Sequence, residues 1–161
     1  MSDRPKTPEN FVAHLAQVAT AVGERELGPD LEEWLNAQFP AGGPWYQTAH
    51  EKCHQGVVEG WLCAWEEPGG IKYGRAVKPC DALSGMSIDV VEMSDVVGPH
   101  HSHPNGEIDL VMPIDPDARF DGRGAGWKVY GPGSAHRPTV RGGKALVLYL
   151  LPGGAIDFTK A

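Results

Sequence analysis

The chain has 161 residues, 41% of them apolar and 22% charged, with a formal net charge of −7. That length supports one core-forming domain with a modest extra element, and the absence of any basic cluster or arm argues against a nucleic-acid partner. No apolar run approaches the ~18 residues of a membrane span, and Met1-Ser2-Asp3-Arg4-Pro5-Lys6 lacks the apolar core of a secretion signal, so a cytoplasmic location is expected. Cys53, Cys63 and Cys80 form neither an even disulfide set nor a CxxC pair and read as reduced thiols.

From Thr7 to about Gly60 the apolar spacing is helical. Thr7-Pro8-Glu9-Asn10 reads as an N-cap with proline at the first helical position, leading into Phe11, Leu15, Val18, Ala19 and Val22. Gly28-Pro29-Asp30 interrupts, and Leu31, Trp34, Leu35 and Phe39 mark a second, shorter helix. After Ala41-Gly42-Gly43-Pro44 a third helix is expected from Trp45 to about Glu59, burying Tyr46, Ala49, Cys53, Val57 and Val58. His50 and His54 stand there at i and i+4, a spacing that can bind metal, but without an HExxH context solvated or packed histidines are the better reading.

Beyond Gly60 the pattern changes to short strands punctuated by glycine and proline. Trp61–Trp65, Ile71–Val77 and Met86–Met93 are predicted strands, separated by Glu67-Pro68-Gly69-Gly70 and Lys78-Pro79-Cys80-Asp81. The HxH segment, Ile108–Met112, Trp127–Tyr130 and the apolar run Ala145–Leu151 follow. Such a series fits a closed sandwich or barrel better than a βαβ fold. The expectation is a mainly β, α+β protein in which a helical segment, residues 1–60, packs on a barrel of residues 61–161.

The densest chemistry lies in Gly98-Pro99-His100-His101-Ser102-His103-Pro104-Asn105-Gly106-Glu107, with Gly131-Pro132-Gly133-Ser134-Ala135-His136 downstream. His101 and His103, two apart, point to one face of a strand. Glu107, beyond a Pro-Asn-Gly turn, can swing a carboxylate toward the same point, and His136 can add an imidazole from another strand. Three neutral nitrogens and one hard oxygen suit Fe, Mn, Ni, Cu or Zn with positions left open for water or substrate. The plainer alternative is a set of buried polar residues in a barrel that holds no metal. The same parity turns Asp109 inward, either as a proton carrier or as an acceptor that fixes one imidazole. His100 then faces outward.

Arg75, in a predicted strand, and Arg137, directly after a proposed ligand, are candidates to hold a carboxylate in a bidentate fork. Arg119, Arg123 and Arg141 sit in turn-like sequence and read as solvated. Trp65, Trp127, Tyr130 and Tyr149 could line an aromatic pocket, with packing as the default role for each.

The arrangement HxHxxxE followed by GxxH resembles the two motifs of the cupin superfamily, which implies a jelly-roll β-barrel. Gly98, Pro132 and Val140 depart from the usual turn positions of those motifs, while the ligand positions match. Longer strings, including Gly60-Trp61-Leu62-Cys63, Asp95–His100, His103–Pro113 and Tyr130–Pro138, are similar to the small 4-hydroxylaminobenzoate lyases of bacterial nitroaromatic breakdown. The resemblance implies conversion of 4-hydroxylaminobenzoate to 3,4-dihydroxybenzoate (protocatechuate) with release of ammonia. On that reading His101, His103, Glu107 and His136 hold a divalent Fe, Mn or Zn, and no organic cofactor is expected. Glu107 and Asp109 carry the acid–base chemistry, while Arg75, Arg137 and Tyr130 contact a small aromatic carboxylate. A homodimer is expected from the edge strands and the helical segment. The competing expectations are a metal-dependent cupin dioxygenase acting on a small aromatic acid and a non-catalytic cupin that binds a small acid.

Overall fold

A computed structural model describes residues 6–67 and 69–158; the N-terminal stretch Met1–Pro5 and Pro68 of the expected turn lie outside them. Three helices come first: α1 (Glu9–Val22), α2 (Pro29–Gln38) and α3 (Pro44–Glu59). Proline stands in the first turn of α2 and α3, where its missing N–H has no intrahelical partner to lose. Thr7 does not cap α1. Pro8 occupies the cap position, and the Thr7 hydroxyl instead donates to the Ala76 carbonyl at 3.0 Å, tying the helical segment to the barrel.

Among the described residues ten strands follow: β1 (Trp65–Glu67), β2 (Ile71–Val77), β3 (Met86–Val97), β4 (His101–His103), β5 (Glu107–Pro113), β6 (Arg119–Phe120), β7 (Gly126–Tyr130), β8 (Ser134–His136), β9 (Thr139–Pro152) and β10 (Asp157–Phe158). They form two antiparallel sheets, one in the order β1-β2-β3-β9-β5-β7 with β6 beside β9, the other in the order β10-β4-β8. This is a cupin-like jelly roll with helices packed on one side.

The expected strand at Trp61–Trp65 is corrected to a bend, with pairing only from Trp65 onward. Its apolar residues are needed elsewhere. Trp61, Leu62 and Cys63 are buried beneath α3, and the Leu62 N–H donates to the Gly56 carbonyl at 3.1 Å. Val58, expected to be buried, is 74% exposed, and Gly56 takes the inner position because a Cβ there would lie 2.7 Å from Leu62.

Strand parity divides the large sheet into two environments. On β3, β5 and β9 the residues Ile88, Val90, Ile108, Leu110, Met112, Leu146, Leu148 and Leu150 pack against Phe11, Leu15 and Leu35 of the helices. Their neighbours in sequence, among them Met93, Val111, Val147, Tyr149 and Leu151, face the barrel lumen. Trp127 belongs to the helical side, stacked on Trp45 with centroids 5.6 Å apart, so it is not part of any lumenal pocket.

Helix α2 also closes the β7 edge of the sheet. Asn36 receives the Trp127 N–H at 2.9 Å and donates to the Trp127 carbonyl at 3.0 Å, while Glu32, one turn earlier, accepts the Val129 N–H at 2.9 Å. Two side chains at i and i+4 on a helix thereby satisfy backbone groups at i and i+2 on a strand, where a further strand would otherwise pair. Arg123, expected to be solvated, pairs with the same Glu32 at 3.3 Å. Among the described residues no helix is long and apolar enough to cross a membrane.

Candidate metal centre

The turn after β4 transfers the chain from the small sheet to the large one within three residues. Gly106 makes that possible with φ +87, since a Cβ there would lie 2.7 Å from Leu27 Cδ2 and 2.8 Å from the Tyr130 carbonyl. His101 and His103 therefore project from one sheet and Glu107 from the facing one. β8 pairs with β4 so that His101 lies opposite His136, and His103 opposite Ser134. The ligand-type atoms of His101, His103, Glu107 and His136 all lie within 4.8 Å of one another.

His101, His103 and Glu107 are almost wholly buried, and His136 is mostly so. Glu107 Oε2 is 3.2 Å from His103 Nε2 and 3.6 Å from His136 Nε2, and Glu107 Oε1 is 3.5 Å from His101 Nε2. Despite that proximity, both Glu107 oxygens and His103 Nε2 lack hydrogen-bond geometry with any described residue. Buried polar atoms that converge without pairing are costly unless a further group satisfies them. Three imidazoles and a carboxylate in this arrangement fit a transition-metal cation.

The outer nitrogens of two histidines are fixed. The Ser134 hydroxyl donates to the Gly131 carbonyl at 2.6 Å, so its oxygen accepts from His103 Nδ1 at 2.8 Å and leaves Nε2 turned to the centre. His136 Nδ1 donates to Asp121 Oδ2 at 2.6 Å, which also leaves Nε2 turned inward. Asp121 accepts from the Tyr130 hydroxyl and, at 2.9 Å, from the Thr139 N–H. It holds this position in the left-handed region at φ 48, a conformation that asparagine and aspartate tolerate better than most residues. His101 has no such outer partner among the described residues, its Nδ1 being buried and unpaired.

The electrostatics follow from this enclosure. Burial alone would raise the Glu107 carboxyl, yet the three imidazoles beside it hold it well below the usual carboxylate range. Asp109 moves the other way, pushed well above that range by burial and by the negative charge of Glu107. Burial opposes a charged His136, but Asp121 and Glu107 outweigh it and push the imidazole up to about 9 in the absence of a cation.

The family described as 4-hydroxylaminobenzoate lyase (PnbB) matches residues 13–158. The chain belongs to this family. A 4-hydroxylaminobenzoate lyase of Nocardioides sp. (strain LMS-CY) is 33% identical over 94% of this chain and 95% of its own. One from Pseudomonas putida is 32% identical over 85% of this chain and 87% of its own. A solved oxalate oxidase in complex with the substrate analogue glycolate is similar over 58% of this chain and 57% of its own, at 19% identity and a TM-score of 0.40.

This lyase opens a cavity of about 580 Å3 beside His101, within the range of small-molecule sites. Arg75 lines it, as do Asp89 and Tyr149. Arg137 is exposed and does not line it, because it follows His136 in β8 and falls on the opposite parity. Tyr130 does not line it either. Its hydroxyl is committed to Asp121, and its ring packs on His136 and His103 with centroids 4.5 and 5.3 Å apart. Trp65 is 51% exposed on β1. His50, His54 and His100 lie outside the four-residue cluster. Asp121, Ser134 and Asp89 were not singled out from the sequence. Asp121-Gly122 looks like ordinary turn punctuation, Ser134 like part of a glycine-rich loop, and Asp89 like the polar phase of a strand.

Proposed function

We propose that this lyase converts 4-hydroxylaminobenzoate to 3,4-dihydroxybenzoate with release of ammonia. The observation that carries the reading is the convergence of three imidazoles and one carboxylate beside a cavity whose wall also holds Arg75, in a chain of this family. The chemistry balances without an external oxidant. The N–O bond breaks and its oxygen leaves as water, making the ring electrophilic. One water adds at the carbon beside the C–N bond, a second hydrolyses the resulting C=N group, ammonia departs, and loss of the ring proton restores aromaticity.

A divalent Fe, Mn or Zn ion held by His101, His103, Glu107 and His136 would supply Lewis acidity toward the N–O oxygen and lower the pKa of bound water. Asp109, fully buried beside Glu107, has its carboxyl pushed well above the usual carboxylate range by burial and by the charge of Glu107, and it acts as the proton reservoir for the departing oxygen and nitrogen. Glu107 stays ionised and balances positive charge at the centre. The apolar lumen of Val111, Val147 and Leu151 limits water to what the reaction uses.

The test is anaerobic incubation of purified protein with 4-hydroxylaminobenzoate, with and without a chelator. The expected result is one ammonia and one 3,4-dihydroxybenzoate per substrate, lost on chelation. A requirement for oxygen would replace this reading with a dioxygenase, and binding without turnover would replace it with a sensor.

A further inference from the structure

The cavity wall is mostly apolar, and one row across the large sheet carries its arginine, its aspartate and a tyrosine. Register pairs Arg75 with Asp89, Asp89 with Tyr149, and Tyr149 with Asp109. Arg75 is the one arginine or lysine among the described residues that line the cavity. Its guanidinium is gripped along one edge. Nε donates to Asp89 Oδ1 at 2.7 Å and Nη2 donates to the Gly154 carbonyl at 2.9 Å. Asp89 is held in turn, its Oδ2 accepting from the buried Ser87 hydroxyl at 2.7 Å. Gly154 has φ +67, strained for any residue with a side chain, and a Cβ there would lie 2.7 Å from Arg75 Nη1 and push the guanidinium aside.

With the Nε/Nη2 edge engaged, the outer Nη1/Nη2 edge keeps two N–H donors in the fork that matches a carboxylate. An ion pair that merely tied β2 to β3 would serve equally on the outer surface. This one is set in the wall of the cavity that His101 shares. Arg75 stands three strands from Asp109, about 14 Å between backbones at the usual strand spacing, and Glu107 lies two residues from Asp109 on β5. An acid group on Arg75 and a reacting group at the metal centre therefore occupy opposite ends of a ring.

We propose that Arg75 receives the substrate carboxylate, that Asp89 is the residue that positions it, and that the pair selects aromatic hydroxylamines bearing an acid para to nitrogen. The inference rests on the lyase reading and supplies its specificity. Calorimetric binding of 4-aminobenzoate and of aniline, which lack the N–O bond, tests it without turnover. Wild type should prefer the acid, while R75M and D89N should each lose about 10- to 100-fold of affinity for it, with aniline unchanged. D89E should recover part of the loss. D89N preserves shape and guards against misfolding of R75M. Full affinity for 4-aminobenzoate in both variants, its absence in wild type, or its loss in R137A would each overturn the assignment. Intact binding with no turnover of 4-hydroxylaminobenzoate would overturn only the lyase reading.

Discussion

His101 and His136 face each other as register partners across β4 and β8, with their Nε2 atoms 3.0 Å apart. Two ring nitrogens this close share a proton or a cation, and Glu107 completes the same cluster from the opposite sheet. The pairing makes β8 as important to the centre as the HxH strand, although it is only three residues long.

Replacing His103 or His136 with alanine should therefore remove the bound metal and reduce turnover to background, while the fold persists. Metal content by elemental analysis, read beside far-UV circular dichroism, checks both halves. Normal kinetics in H103A would contradict a metal-centred reaction.

Asp121→Asn keeps the shape of the His136 partner and removes its charge. Loss of such a partner costs about 10–100-fold in metal affinity. Competition titration against a chromophoric chelator should show that loss, with a smaller one in Tyr130→Phe, where only the hydroxyl that donates to Asp121 is missing.

The metal-free protein should show a pH signature of the same contact. His136 is raised to about 9 in the folded state, whereas an unfolded histidine titrates near its ordinary 6.5. A raised folded value means stabilisation that is complete below pH 6.5 and declines as pH climbs through 9. Urea unfolding in excess chelator should lose stability across that window, and the slope should flatten in D121N. A D121N curve with the wild-type slope would show that Asp121 does not hold the proton on His136.

Asn36→Ala should destabilise the lyase by about 1–3 kcal/mol, because the Trp127 N–H and carbonyl lose their partner at a covered edge. Metal content should stay at the wild-type level, since α2 lies on the face of the sheet away from the lumen. Chemical denaturation with parallel metal analysis separates the two effects.

The HxHxxxE string was legible because strand alternation and a three-residue turn confine its ligands to a few positions. Parity likewise placed Asp109 on the inner face before any fold was known. The long apolar strands β3 and β9 were recognisable in part, but β6 and β10 were not, since two residues cannot display a period. Trp61–Ala64 misled for a related reason. A short apolar run serves a strand or a buried bend equally well, and packing against α3 decided for the bend.

Local pattern, then, was sufficient to name the metal-ligand candidates, because their directions depend on period and turn length alone. Which outer partner each imidazole has, and which arginine faces the lumen, depend on long-range register. Asp121 meets His136 across 15 positions, Arg75 meets Gly154 across 79, and only closure of the barrel brings them within hydrogen-bond distance.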